Sequence, residues 1–435
     1  MTEERPAGTP VLRRMNRAAV LDAVRRRAPE PVRLAELSQL TELTRPTVAQ
    51  AVEDLLAAGW LRQHAPQPAT VGRPATRFSL NGRAAPVLGL DVGPHTVTAG
   101  IADLAGERLA VIRRTVGRRS ARHLLEAVDE ATEEALATAG LAAEQIAAVT
   151  AATPGIVEET TGRVLFVPSV PGWSEIDLAG RLRARFRCAV TVENDANLAA
   201  LAAAHQRTGA GTLLAVQWGE RLGAGVVIDG RLHRGAGQAG EIGFIRPVDN
   251  RPDAHLPNAD PPNADPPDAD PPDADPPDAD PPDADAPDAD LPDAAGDGRG
   301  PLERAIGAEA IVNLARRRAA AHPESRLARA TDAAAVFAAA AGGDPLAAEV
   351  VDRVAAVFAE AIAPVVLVLS PHVIVIGGGI ARAGAVLLDA IARHLEDLTL
   401  TPPGVELSEL AEGTVLTGAI QMALDEVWRD TLTVC

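Results

Sequence analysis

Aromatic side chains make up only 2% of the 435 residues and tyrosine is missing, so any core must be aliphatic, built from Ala, Val and Leu. The two cysteines, Cys188 and Cys435, provide neither a disulfide framework nor a cysteine-based metal site. No apolar run reaches the about 18 residues that a membrane helix requires, and a membrane span is therefore not expected. The amino-terminal MTEERPAGTP lacks the apolar stretch of a secretory signal, so cytoplasmic placement is the expectation. At this length the chain has room for two or three domains.

What is present begins with LAELSQLTELTRPTVAQAVEDLLAAGWL, residues 34–61. Leu34, Leu37 and Leu40 recur at helical spacing, and Thr41-Glu42-Leu43 breaks the period. Thr44 then caps a second helix with Val48, Val52, Leu55 and Leu56 as its apolar stripe, Pro46 in its first turn and Gly59 at its stop. Burying that stripe turns Arg45, Thr47 and Gln50 outward, at the positions from which a helix-turn-helix reads base edges. A helical hairpin alone serves equally well as a packing unit, so the flanks decide. Upstream, Asn16 is placed to cap a helix with Val20, Leu21 and Val24 inward. Downstream, residues 60–62 and 77–80 read as strands around a Pro/Gly-rich tip carrying Arg73. Residues 1–85 hold 13 Arg against 8 Asp plus Glu, a surplus of 5, which leaves the rest 23 negative within a whole-chain −18. A basic winged helix on an acidic body fits a binder of the DNA phosphate backbone; a protein-docking winged helix is the alternative.

From residue 86 the pattern becomes alternating strands and helices. Strands are expected at 87–92, 97–102 and 108–113, followed by a helix with Leu124, Leu125, Val128 and Ala131 inward that closes at Gly140. Further strands at 146–151 and 189–192 lead into Thr153-Pro154-Gly155 and Glu193-Asn194-Asp195-Ala196-Asn197. A second set opens with a pair of strands at 213–217 and 224–228, continues with helices near 302–318 and 346–369, and ends in a strand at 373–376 before Gly377-Gly378-Gly379. Two similar halves point to a duplicated α/β fold with ligands held beyond the strands' carboxyl ends. The boundaries read as 1–85, 86–205 and 206–435. The last is interrupted at 252–297 by a PPDAD repeat whose prolines forbid helix and strand interiors. Residues 253–297 contain 15 Asp and no Lys or Arg, and read as a solvated surface expansion rather than a cation site.

LGLDVGPHTVTAGIADLAG, TPGIVEETTGRVLFVPSVPGW, VENDANLAALA, GAGVVIDGRLHRGAGQAGEIGF and VIVIGGGIARAG, in this order, resemble the ROK family of repressors, open reading frames and sugar kinases. The resemblance covers nearly the whole chain outside the repeat. It implies an α/β fold in which a winged helix-turn-helix precedes a duplicated, two-lobed actin-like ATPase (ROK sugar-kinase-like) body. It also implies an oligomer, and for members with such an arm, regulation of carbohydrate genes. Where the kinases resemble Asp-x-Gly-Gly-Thr-Lys, this chain has Asp91-Val92-Gly93-Pro94-His95-Thr96, and Pro94 removes a backbone donor. Where they resemble Gly-Thr-Gly-x-Gly-x-Gly it has Gly219-Glu220-Arg221-Leu222-Gly223-Ala224-Gly225. A carboxylate about 4 Å from a phosphate costs about 4 kcal/mol at an effective dielectric of 20.

The same resemblance assigns sugar hydroxyl contacts to Asn194, Asp195, Glu241 and Glu303, and puts Ser169 where an Asn often stands. Asp195 would be the general base in a kinase. Phe244 replaces a histidine that binds zinc and sugar, and the zinc cysteines are absent, so no metal and no bound cofactor are expected. The reading is a DNA-binding regulator, a repressor, that senses a sugar or sugar derivative without phosphorylating it. Arg45, Thr47, Gln50 and Arg73 would contact a palindromic duplex operator in a homodimer or homotetramer. An ATP-dependent sugar kinase with a DNA-binding arm and a regulator that has lost its inducer are the alternatives.

Overall fold

The computed structural model describes residues 9–65, 76–207, 209, 211–247, 298–410 and 413–434. The segment 252–297 and Arg73 lie outside the described residues. The amino-terminal unit runs α1 (Thr9–Arg27), β1 (Val32–Arg33), α2 (Leu34–Thr41), α3 (Arg45–Ala57), β2 (Leu61–His64) and β3 (Arg77–Leu80). Its sheet has the order β1-β3-β2, with Leu61 opposite Leu80. Helix α1 begins seven residues before Asn16, which is interior rather than a cap; a run of good helix formers carries the helix back past it. Leu37, Val48, Val52 and Leu55 are buried with Val20, Leu21 and Val24 of α1, while Leu40 is exposed on the flank of the short α2. Thr44 caps α3 by accepting from the Thr47 N–H, and Glu42 ends α2 in the left-handed region.

The body then contributes β4 (Val87–Val92), β5 (Thr96–Ala102), β6 (Arg108–Thr115), α4 (Ala121–Ala139), β7 (Ala148–Thr153), β8 (Ile156–Val157), β9 (Val164–Phe166), α5 (Leu178–Phe186), β10 (Ala189–Asn194) and α6 (Asp195–His205). A second series follows: β11 (Thr212–Trp218), β12 (Leu222–Ile228), β13 (Arg231–His233), α7 (Pro301–Ile306), α8 (Ala308–Ala319), α9 (Ala333–Ala341), α10 (Pro345–Leu369), β14 (Val373–Gly377), α11 (Ala385–Leu398), β15 (Gly404–Leu407) and α12 (Thr414–Val434). The first five-stranded sheet is β10-β7-β4-β5-β6 and the second is β13-β12-β11-β14-β15. Counted in chain order, each sheet reads 3-2-1-4-5, with an antiparallel meander followed by two parallel additions. The duplication expected from the glycine bends is therefore a duplication of topology. The helix expected near 302–318 is two helices, broken where Gly307 turns extended.

Helix α12 corrects the boundary drawn at 206–435. It packs on β4, β5 and β7 of the first sheet and on α6, although it follows the second sheet in the chain. Helix α6 in turn packs on β11 and β12 of the second sheet. The two helices thus fill the space between the sheets. Small residues permit this. Helix α6 is rich in buried alanine, and Gly418 of α12 sits so close to it that an added Cβ would lie 1.9 Å from the Leu198 carbonyl oxygen. On the other side, a Cβ at Gly225 of β12 would lie 2.5 Å from the Ala200 methyl and 2.7 Å from the Ala196 carbonyl.

Helix α12 also joins the amino-terminal unit. Leu424, Val427 and Trp428 belong to the same buried cluster as Val20, Leu21, Val48 and Leu55. The Arg25 guanidinium lies over the Trp428 ring, 5.1 Å from its centroid. Gly418→Ala is expected to destabilise the whole chain, because helix α6 cannot yield a backbone carbonyl without moving. Overpacking of this kind costs about 1–3 kcal/mol. Thermal unfolding checks it; an unchanged midpoint would show that the stack gives way easily.

Candidate functional site

On the amino-terminal unit, Arg45 and Gln50 are exposed at the start of α3 and Thr47 is half-buried. Thr47 is committed to the cap, its hydroxyl 2.8 Å from that of Thr44, and Gln50 donates to Asp54 at 3.1 Å. Arg45 is the most available of the three for a base or phosphate. Strand β2 adds exposed Arg62 and His64, the latter hydrogen-bonded to Ser79 at 2.7 Å. These wing-strand groups were not singled out in the sequence; their outward alternation opposite buried Leu61 and Phe78 was the available signal.

The second site is a cavity of about 270 Å³ between the lobes, reached by the carboxyl ends of β7, β10 and β11. Ser169, Asn194, Asp195, Glu241 and Glu303, widely separated in the chain, all line it. Phe166, Val167, Ile156 and Phe244 give it an apolar side. Asn194 is largely spoken for: it caps α6 by accepting from Ala196 and Asn197 N–H groups, and its amide donates to the Gly155 carbonyl at 2.8 Å. Asp195 stands at the first position of α6, where the helix dipole favours a carboxylate and the Ala196 N–H donates to it at 2.8 Å. Burial nevertheless dominates and pushes Asp195 up to about 6.

Its neighbours are shifted in the same direction. Burial, then the Asp195 charge, push Asp91 on β4 up to about 7, against the opposing pull of Arg113. Burial, then Asp195 and Glu303, push Glu241 up to about 7. Burial also raises Glu303, offset by Arg221 at 3.2 Å, which anchors to the Gly298 carbonyl as well. Behind the cavity, buried Glu193 accepts from Asn194 N, Asn197 Nδ2 and Arg234 Nε at 2.8, 2.9 and 2.7 Å. That pair ties the glycine-rich turn after β13 to the β10–α6 junction. Asp91, Glu193, Arg221 and Arg234 went unassigned in the sequence, because only partners distant in the chain, such as Glu193 for Arg234 and Glu303 for Arg221, reveal their work.

Neither glycine turn at the other end of the cavity is empty of charge. Glu220, in the turn between β11 and β12, meets His95 and Arg119 of the first lobe. Hydrogen bonding to both outweighs burial and holds Glu220 below the usual carboxylate range.

The ROK family pattern matches residues 87–426, and an IclR helix-turn-helix domain matches residues 17–65. The chain belongs to the ROK family. It is 28% identical over 323 residues to a glucokinase of Halalkalibacterium halodurans, covering 72% of this chain and 86% of that protein. It is 29% identical over 221 residues to a putative xylose repressor of Caldicellulosiruptor sp., covering 48% of this chain and so about half, 54%, of that protein. A solved ROK family transcriptional regulator, a homologue of the E. coli MLC protein, superposes with a TM-score of 0.71 at 23% identity, covering 97% of this chain and 99% of that one. The winged arm and two-lobed body therefore form an established ROK architecture.

The zinc implied by the ROK resemblance does not fit the donors present. Phe244 has no donor atom, Cys188 does not line the cavity, and among the described residues no three His, Cys, Asp or Glu side chains gather to hold a metal. Among the described residues no helix is long and apolar enough to cross a membrane.

The raised carboxyl groups make stability fall as pH rises. Asp195 and Glu241 have ordinary values of 3.8 and 4.5 and folded values of about 6 and about 7. Between those limits the folded chain holds protons that the unfolded chain releases, so their stabilising contribution is present at pH 4 and lost by about pH 7. Glu241→Gln is expected to raise the unfolding midpoint at pH 8 by about 1 °C for each kcal/mol recovered, given the unfolding entropy of a chain this long. At pH 4 it should have little effect. Scanning calorimetry at the two pH values checks this, and equal shifts at both would remove the ionisation account.

Proposed function

We propose that this ROK-family chain is a sugar-responsive transcriptional repressor that holds its effector in the interlobe cavity and does not phosphorylate it. The observation that carries this reading is continuity. Asp195 lines the cavity and opens α6, α6 packs on α12, and α12 shares a core with α1 of the winged helix. A ligand that favours one arrangement of the lobes thereby acts on the placement of the reader, and only through that differential affinity. Several carboxyl groups facing an apolar side suit a polyol, whose hydroxyls need acceptors and whose C–H faces need contact.

Arg45, Thr47 and Gln50 face the major groove in this reading, with Arg73 on the wing. A dimer would space two α3 helices about 34–36 Å apart on a palindromic operator, and the protein would work in the cytoplasm. Selection of bound duplex fragments, followed by binding of the full-length chain, tests it. Arg45→Ala and Gln50→Ala should each weaken the selected site by about 10- to 100-fold, as expected for a contact worth about 1–3 kcal/mol. Unchanged affinity and sequence preference in both variants would defeat the assignment of α3. Sugars that release the operator should also raise the unfolding midpoint; a ligand at 100 times its dissociation constant adds about 2.7 kcal/mol.

One observation favours a competing kinase reading. Asp195 rests at a helix start with a raised pKa of about 6, as a general base would, and the glucokinase relative aligns over most of its length. Against it, Glu220 and Arg221 occupy the second glycine turn with side chains engaged by His95, Arg119 and Glu303. ADP release coupled to a sugar panel separates the two. Turnover that disappears in Asp195→Asn would establish the kinase; no turnover with any sugar that releases DNA supports the repressor.

A further inference from the structure

Three polar side chains from opposite lobes converge beside the cavity. His95 follows the turn after β4, and Arg119 lies between β6 and α4, both on the first lobe. Glu220 projects from the β11–β12 turn of the second. Arg119 Nη1 donates to Glu220 Oε1 at 2.9 Å and Arg119 Nη2 to Oε2 at 3.3 Å, a two-pronged guanidinium–carboxylate pairing. His95 Nε2 lies 3.0 Å from the same Oε2. The Arg119 guanidinium also lies directly against His95 Nε2. Two donors from one lobe are therefore crowded side by side, an arrangement that favours an anion in front of them.

We propose that His95 and Arg119 form an anion site whose resident ligand is the Glu220 carboxylate of the opposite lobe, so that the cleft is held closed from within. The ligand class follows from the geometry: a planar or tetrahedral oxyanion presenting two oxygens to a guanidinium fork and a third donor. Glu220 has both carboxylate oxygens engaged and makes each of these contacts across the cleft rather than within one lobe. By contrast, the surface pair of Arg122 and Glu126 joins neighbours on one helix, α4. A phosphoryl group free in solution would compete for the same donors only by displacing Glu220. This latch goes beyond the repressor reading and stands whether or not the cleft takes a sugar.

The side chains of His95, Arg119 and Glu220 are 52%, 45% and 44% exposed, so screening limits what the latch contributes. Its removal should change the closed-to-open ratio about fivefold, equivalent to about 1 kcal/mol.

The test is an interlobe distance in the full-length chain without effector. Cys188→Ser and Cys435→Ser remove the native thiols, and Arg122→Cys on α4 with Glu349→Cys on α10 carry a fluorophore pair. Both positions are exposed, one on each lobe. Glu220→Gln and Arg119→Glu should each move the distance distribution towards longer values. Arg119→Glu combined with Glu220→Arg should bring it back. By titration calorimetry, inorganic pyrophosphate should bind Glu220→Ala, whose donors are freed, and not the unsubstituted chain. A Glu220→Gln distribution that superimposes on the parent, or a Glu220→Ala chain indifferent to pyrophosphate, overturns the proposal. Should the single variants lose their helical circular dichroism, the folded double reversal decides: the parental distance supports the latch, and a longer one refutes it.

Discussion

Two helices wedged between two sheets set the terms for everything else in this molecule. Helix α6 faces the second sheet, α12 faces the first, and the pair meets along alanine and glycine surfaces that leave no room for a methyl group at Gly418. Packing this close behaves as a solid: side chains interdigitate with few voids and transmit displacement. The cavity and the winged helix are attached to opposite partners in that stack. Asp195 is the first residue of α6, and Trp428 lies near the end of α12 under Arg25 of α1. A change in the angle between the sheets must therefore be taken up by sliding of α6 on α12, and α12 carries part of the reader's core with it.

Charge is distributed in keeping with that arrangement. The floor of the cavity collects Asp195, Glu241 and Glu303, with Asp91 near Asp195; burial raises all four, and neighbouring carboxylates add to the rise at Asp91 and Glu241. Asp91 and Glu241 feel the Asp195 charge, so a proton taken up by Asp195 makes each of them easier to ionise. A neutral ligand rich in hydroxyls can satisfy such a floor, donating to the ionised members and accepting from the protonated ones. An anionic ligand would meet repulsion there. At the other end, Arg119 and His95 of the first lobe already hold Glu220. The cavity thus presents acceptors at one end and a neutralised charge cluster at the other.

Much of this was legible in the chain because the relevant signals are local. The α3 stripe, the Thr44 cap, the buried runs of β4 and β11, and the glycine turns all follow from periodicity and backbone chemistry within a few residues. The five cavity residues were reached through the ROK resemblance of short motifs rather than through local periodicity: Asn194 and Asp195 stand where β10 gives way to α6, whereas Glu303 lies on α7. What escaped was non-local. Helix α12 has an ordinary amphipathic pattern, and nothing in it says that its partner is the first sheet rather than the second. Arg234 looks like a solvated charge until Glu193 is seen to be buried against it at 2.7 Å. Asn16 failed for a different reason: capping preference competes with helix propensity, and the residues before it are helix formers.

The departures from a kinase-like turn at residues 219–221 read at first as simple loss of phosphate chemistry. Structurally they are gains. Arg221 neutralises part of the buried Glu303, a carboxylate that faces Glu241 and has Arg299 at 3.9 Å as its other cation. Glu220 supplies across the cleft an attraction that a dissolved anion would have to supply from solution, and it does so without the entropy cost of capturing one. A lobe arrangement that depends on the chain's own charges is available at all times, and a sugar can then bias it by direct contact alone. In the repressor reading proposed above, a sensor needs that independence from a second substrate more than it needs turnover, and Glu220 is the residue that would provide it.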